Sequence, residues 1–97
     1  PFEYWIGMFV PPETQTPEGF DELAIGAVDV GICWYLGRED ELYGRESLAL
    51  ERLQAEGMDA VLDEEGYIQF FERYTDRFMS QDENGHIILD IGFVVKR

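Results

Sequence analysis

The sequence FFERY, residues 70–74, is the centre of a run of aromatic and branched residues at 67–75 that predicts a β-strand. Successive side chains of a strand point to opposite faces of its sheet. One face of this strand therefore carries a carboxylate between two aromatic rings, in the order Phe70, Glu72 and Tyr74. A carboxylate is costly to bury unless a cation or a hydrogen-bond donor meets it, so the surroundings of Glu72 are the main clue to function.

An ion pair with a neighbouring arginine is the purely structural explanation for Glu72. The nearest arginines are Arg73 and Arg77, and Arg73 is a poor partner because it points to the opposite face of the strand. Rings around a carboxylate are also the arrangement that recognises an organic cation, since both attract positive charge once water is excluded. For each ring, packing in the hydrophobic core is the alternative. The candidate ligand-binding residues are Glu72, Tyr74, Trp5, Trp34, Tyr35 and Phe70.

Four further segments have the composition of β-strands, and one has the pattern of a helix. The predicted strands are residues 2–10, 22–27, 29–36 and 86–96. Both faces of the strand at 2–10 are apolar, which is typical of a central strand that is covered on both sides. The helix is predicted at 45–56, and Gly57 is expected to end it in the left-handed conformation.

The order of these elements predicts an α+β fold, in which an antiparallel sheet carries one main helix on one face. Turns are predicted at 63–66 and at Asn84-Gly85, each just before a strand. The second face of the sheet must then be covered by another helix, by a partner or by a ligand, because an apolar sheet face is unstable in water.

The composition predicts one folded domain over residues 1–97, because 45% of the residues are hydrophobic and 14% are aromatic. Seven basic residues against 21 acidic ones give a net charge of −14, which disfavours contact with nucleic acid and with anionic membranes. No apolar run approaches the roughly 20 residues of a membrane helix. Cys33 is the only cysteine, which excludes an internal disulfide and favours a cytoplasmic location.

Residues that usually carry metal or nucleophilic chemistry are few in this chain. His86 and Cys33 are single residues of their types and do not make a zinc set, and DENG at 82–85 lacks the last ligand of a calcium loop. A catalytic triad around His86 would depend on a geometry that no spacing in the chain specifies. The chain has no glycine-rich phosphate loop, and Lys96 is its only lysine. We expect no metal site, no cofactor and no catalytic residue.

Four stretches of the chain resemble the GyrI-like effector-binding domains of AraC-type and MerR-type transcription activators. YWIGMFV at 4–10, followed by PEGFDELAIGA at 17–27, resembles the family's Y-hydrophobic-I-G-hydrophobic and P-E-G passage. GYIQFFERYTDRF at 66–78 resembles its G-Y and F-E-x-Y strand, and ILDIGFVVK at 88–96 resembles its closing strand. Gly26 occupies a position where the family often has proline, and it permits the same bend with less rigidity.

The resemblance implies a fold of two strand-helix-strand-strand units, whose antiparallel strands form a curved sheet with a groove between two helices. This chain resembles the later part of that domain only, so the first strand and helix are expected to be lacking here. A longer natural protein, a homodimer in which a second copy supplies the missing wall, and a reduced variant are the three explanations. In relatives that bind lipophilic cations, the residue matching Glu72 contacts the effector, and Tyr74 is expected to line the same wall.

The leading functional hypothesis is a small-molecule sensor for a lipophilic, cationic effector, which acts alone or within a transcription regulator. Any DNA-binding domain would lie in sequence outside these residues, since no helix-turn-helix is visible. A hydrolase of small electrophilic compounds is the enzymatic alternative, with Glu72 as general base or acid. An acidic, gyrase-inhibitor-like module that docks on a basic protein is the third hypothesis.

Overall fold

The computed structural model describes residues 5–97 as one antiparallel sheet with three short helices. The predicted α+β fold class is therefore confirmed. None of the helices in this part of the chain is long and apolar enough to cross a membrane. In chain order the elements are β1 (Asp29–Gly37), α1 (Glu39–Leu42), α2 (Glu46–Ala55), β2 (Asp59–Ala60), β3 (Phe70–Arg73), α3 (Asp76–Met79) and β4 (Ile87–Lys96).

Strand β4 is the centre of the sheet. Strand β1 pairs with it along its whole length, from Asp29 opposite Val95 to Gly37 opposite Ile87. The short strands β2 and β3 share the other edge of β4 and pair with its later and middle residues, respectively. The nearly continuous apolar sequence of β4 explains this position, because a strand with neighbours on both edges and apolar residues on both faces is shielded from water.

The hydrophobic core lies between the sheet and helix α2. Alternate residues of β4 point towards this helix, as expected from the two-residue period of a strand. At Gly31 of β1 the helix approaches closely, since an added Cβ would lie 2.8 Å from a methyl carbon of Leu53. The buried apolar residues are Leu42, Ala49, Leu53, Ile87, Leu89, Ile91, Phe93 and Val95.

Helix α2 agrees with the helix predicted at 45–56. Its sequence, ESLALERLQA, contains good helix formers and no β-branched residue. Gly57 has a φ of 87°, and the amide of Met58 donates to the carbonyl of Leu53 at 2.9 Å. The predicted left-handed ending at Gly57 is therefore confirmed, and a glycine is favoured there because it has no Cβ to clash.

Two predicted strands are absent from the described residues. Residues 5–10 and 22–27 form no strand, and residues 2–4 of the first prediction lie outside the described part. The expectation of a central strand covered on both sides is wrong for 5–10, where Ile6 is 89% exposed. The physical reason is that a strand needs a neighbour for its backbone hydrogen bonds, and these two segments have none among residues 5–97.

The other predicted elements are present, and only their first and last residues differ from the predictions. Strand β3 covers only 70–73 of the predicted 67–75, although an isolated bridge joins Leu62 to Ile68 before it. The turns predicted at 63–66 and 84–85 are present, with Gly66 and Gly85 in the left-handed region. The sequence pattern did not predict the short elements α1, β2 and α3, which are too brief to show a period.

The face of the sheet away from α2 is largely uncovered, and we call its exposed residues on β1 the open face. These side chains are between 36% and 58% exposed and belong to Val30, Ile32, Trp34 and Leu36. On the same side of the sheet, the ring of Phe71 lies over Gly92 and contacts the ring of Phe9 edge-on at 5.3 Å. On this second face of the sheet, the apolar surface that still lacks a covering element is therefore chiefly that of β1.

A buried carboxylate interrupts the apolar sequence of β4. Asp90 is 1% exposed and lies between two half-exposed arginines. Arg73 donates through Nε to Oδ2 at 3.0 Å, and Arg77 donates through Nη2 to Oδ1 at 2.6 Å. Because both carboxylate oxygens are hydrogen-bonded to a cation, the charge is compensated in its buried position.

Candidate functional site

Four side chains from two distant parts of the sequence meet beside the end of β3, and we name them the tyrosine–carboxylate cluster. Glu39 and Tyr43 come from α1 and its C-cap, whereas Glu72 and Tyr74 come from β3 and the residue after its end. Glu72 pairs with Ile91 and Phe70 pairs with Phe93, both of which face the core. The predicted common face of Phe70 and Glu72 is therefore confirmed.

Hydrogen bonds connect the cluster. The Tyr43 hydroxyl donates to Oε1 of Glu39 at 3.1 Å, and the Tyr74 hydroxyl donates to Oε1 of Glu72 at 3.2 Å. The Tyr74 hydroxyl can donate its single proton to the Tyr43 oxygen in place of Glu72, which joins the two halves. Two carboxylates and two phenol rings thus share one small surface region.

The cluster is supported from the core side by a ring contact. The ring of Tyr74 meets Phe78 edge-on, with the ring centres 4.7 Å apart, and Phe78 packs against the core. Beside the cluster lies a shallow, open depression of about 760 Å³. Its lining residues are Arg38, Glu39, Asp40, Tyr43, Gln81, Asn84 and Gly85. The site is therefore an exposed surface region with a neighbouring depression, and not an enclosed pocket.

The pKa of Tyr43 reports the negative character of the site. Partial burial raises the pKa of its hydroxyl, and the hydrogen bond and charge of Glu39 and the charge of Glu72 raise it further. The hydrogen bond from Tyr74 acts in the opposite direction. A phenol between two carboxylates resists ionisation because a third negative charge would be repelled.

We expect the substitution Glu39→Gln to lower the pKa of Tyr43 towards that of an ordinary tyrosine. The substitution removes one of the two charges that oppose ionisation and weakens the hydrogen bond that holds the phenol proton. The measurement is a pH titration of the Tyr43 ring resonances by NMR. Glu51→Gln, on the exposed side of α2, is the matched control and should leave the pKa unchanged. An unchanged pKa in the Glu39 variant would show that the two side chains do not interact.

The six predicted site residues do not form a single site. Glu72 and Tyr74 belong to the cluster, and Phe70 lies on the same strand face but stacks on Phe93 at 5.6 Å. Tyr35 also faces the helix side, where Arg45 lies 6.0 Å from its ring centre. The remaining two rings lie elsewhere: Trp34 is on the open face, and Trp5 is in the N-terminal segment.

Glu72 itself is half-buried, so it is not the water-excluded carboxylate that the strand pattern suggested. The structural alternative of an ion pair with Arg73 or Arg77 is not realised, because both arginines bind Asp90 on the other side of the sheet. Glu72 accepts a hydrogen bond from the Tyr74 hydroxyl at 3.2 Å. The carboxylate therefore remains without a cationic side chain among its contacts in the described part of the chain.

Sequence reasoning missed Glu39 and Tyr43. The only local signal was their i, i+4 spacing, which places two side chains on the same side of a helical turn. Nothing in the spacing shows that this turn lies beside β3. Among residues 5–97, no group of three or more histidine, cysteine, aspartate or glutamate side chains is arranged to hold a metal ion.

Comparisons of this chain with models of protein families, with curated proteins and with solved structures found no match.

Proposed function

We propose that the domain binds a lipophilic organic cation at the tyrosine–carboxylate cluster and acts as an effector-binding module. The observation that carries this proposal is the convergence of Glu39, Tyr43, Glu72 and Tyr74 beside an open depression. The resemblance of the F-E-x-Y strand to effector-binding domains also favours Glu72 as a ligand-binding residue, and it does so without reference to the geometry.

The chemistry of the cluster favours a cation of moderate size. Each carboxylate has one oxygen that accepts a hydrogen bond from a phenol, which leaves its second oxygen available to a ligand. Tyr43 and Tyr74 are 47% and 49% exposed as residues, so both present surface that a guest can contact. Cation–π contacts at such exposed sites contribute about 0.5–1 kcal/mol each. The net charge of −14 attracts cations over a longer range.

A ligand at this position would connect two separate parts of the fold. Glu39 and Tyr43 belong to the α1 region, and Glu72 and Tyr74 belong to the β3 region. A cation that contacts both carboxylates favours the conformations in which the two regions are close together. This shift in population is the means by which we propose that the module signals, either alone or within a transcription regulator.

We expect tetraphenylphosphonium to bind the wild-type chain and Glu72→Gln to weaken that binding by about tenfold. Such a loss corresponds to about 1.4 kcal/mol, which is reasonable for one half-buried carboxylate facing a cation. Isothermal titration calorimetry measures the affinity, and NMR of the tyrosine rings locates the site. Equal affinity of the variant and the wild type would remove Glu72 from the binding site.

Two controls separate the proposed contact from the general negative charge. Glu64→Gln makes the same chemical change in the exposed turn at 63–66 and should bind the cation as the wild type does. Tetraphenylborate has the same shape as the probe but the opposite charge, and we expect no binding at the cluster. If both carboxylate variants weaken binding equally, attraction by the net charge is sufficient and the specific site is disproved.

A further inference from the structure

The chain exposes more surface than a folded monomer of its mass. Its accessible area is 7910 Å², whereas monomeric proteins of 11.2 kDa expose about 5,700 Å². Its radius of gyration is 15.0 Å, compared with about 12.5 Å for a compact domain of this length. Residues 5–28, which form no helix or strand and are largely exposed, contribute to this excess of about 2,200 Å². A standard protein interface buries roughly 800 Å² of each partner, so the excess leaves room for one.

One continuous part of the exposed apolar surface lies on β1. This nine-residue strand is at the edge of the sheet, and its outer edge pairs with no strand in the described part of the chain. Four of its side chains form the apolar open face, with Trp34 58% and Leu36 56% exposed. A long apolar edge strand is a template for pairing with another chain.

We propose that two copies of this chain pair through β1, antiparallel across a two-fold axis, so that their sheets become continuous. The depressions beside α1 and beside α2 include no residue of β1, so this face suits a protein partner better than a small ligand. The inference concerns a different surface from the proposed cation site and does not depend on it.

The sequence of β1 is complementary to itself in that arrangement. With the axis at Cys33, Ile32 faces Trp34 of the second copy and Val30 faces Leu36 of the second copy, so every open-face pair is apolar. Asp29 of each copy faces Gly37 of the other, next to Arg38. The ends of the pairing add no net charge attraction, because Arg38 already pairs with Asp40 and Glu41 of its own copy. The apolar complementarity of the open faces is why we propose a second copy and not a charged partner.

We expect Leu36→Lys to weaken the dimer at least tenfold, because an ammonium group on the edge strand must lose water against an apolar neighbour. Leu48→Lys is the matched control, since Leu48 is 49% exposed on helix α2 and lies outside the proposed interface. Sedimentation equilibrium of the full chain at several concentrations measures the association. The wild type and the control should have twice the chain mass of 11.2 kDa.

Each result decides the proposal. A wild-type chain that stays monomeric up to roughly 100 µM, a concentration that reveals even weak association, would overturn it. Open-ended assembly would also overturn it, because a two-fold pairing closes at two copies. A dimer that survives both Leu36→Lys and Ile32→Lys would show that the interface lies elsewhere. Circular dichroism checks that each variant keeps its fold, and these exposed positions are chosen for that reason.

Discussion

Replacing Phe93 with alanine is expected to lower the free energy of unfolding by about 4 kcal/mol, the largest loss we predict. Phe93 is 2% exposed on the central strand, faces the core and stacks against Phe70. The substitution removes a large apolar surface from the core and leaves a cavity that β4, held by strands on both edges, cannot close by moving. A domain of this size holds only about 5–15 kcal/mol in total.

Chemical denaturation monitored by circular dichroism measures this loss, and the thermal midpoint should fall by roughly 20 °C. Phe20→Ala is the matched control, because Phe20 is 72% exposed. We expect the control to change the free energy by less than about 0.5 kcal/mol. Equal effects of the two substitutions would mean that Phe93 is not in the core.

The second large effect is expected for Asp90→Asn, which should lower the free energy of unfolding by about 3 kcal/mol. The amide keeps the size of the side chain but removes the charge that both Arg73 and Arg77 contact. Its nitrogen cannot accept a hydrogen bond, so one guanidinium loses its partner. We expect a loss at the lower end of the range known for broken buried ion pairs, about 3–5 kcal/mol. The reason is that the two arginine side chains are 44% and 48% exposed and can be hydrated again.

Asp40→Asn is the control for the removal of one carboxylate. The Asp40 side chain is 80% exposed and lies 3.8 Å from Arg38, so its contribution should be below about 0.5 kcal/mol. The combined variant Asp90→Leu, Arg73→Met and Arg77→Met tests the mechanism, because an apolar replacement of the whole group should restore most of the stability. If the combined variant is as unstable as Asp90→Asn, the charge compensation is not the cause of the loss.

The two proposals assign separate tasks to the two sides of the sheet. The side that carries α2 holds the tyrosine–carboxylate cluster, and the other side holds the open face. Glu72→Gln should therefore leave the association of two copies unchanged, and Leu36→Lys should leave cation binding unchanged. If each substitution changes only the property of its own surface, the two sides of the sheet act separately.

The sequence itself shows that Trp34 and Tyr35 cannot belong to one site. Trp34 and Tyr35 are neighbours on one strand, so alternation places them on opposite faces. They cannot both line the same wall as Glu72, and in the structure only Tyr35 faces the helix side with it. Alternation also places Phe70 and Arg73 on opposite faces of β3, and the structure confirms both directions.

Local rules of the chain were sufficient for the features whose causes are local. The limits of α2 follow from helix formers and a left-handed glycine, and the alternation in β3 and β4 follows from backbone geometry. Only the tertiary structure decided which segments pair and which side chains meet. Residues 5–10 have the composition of a strand but no neighbour in the described part of the chain, and composition does not supply one. Tyr43 meets Tyr74 because α1 and β3 are brought together by packing around β4, and contacts between distant segments leave no periodic signal in a sequence.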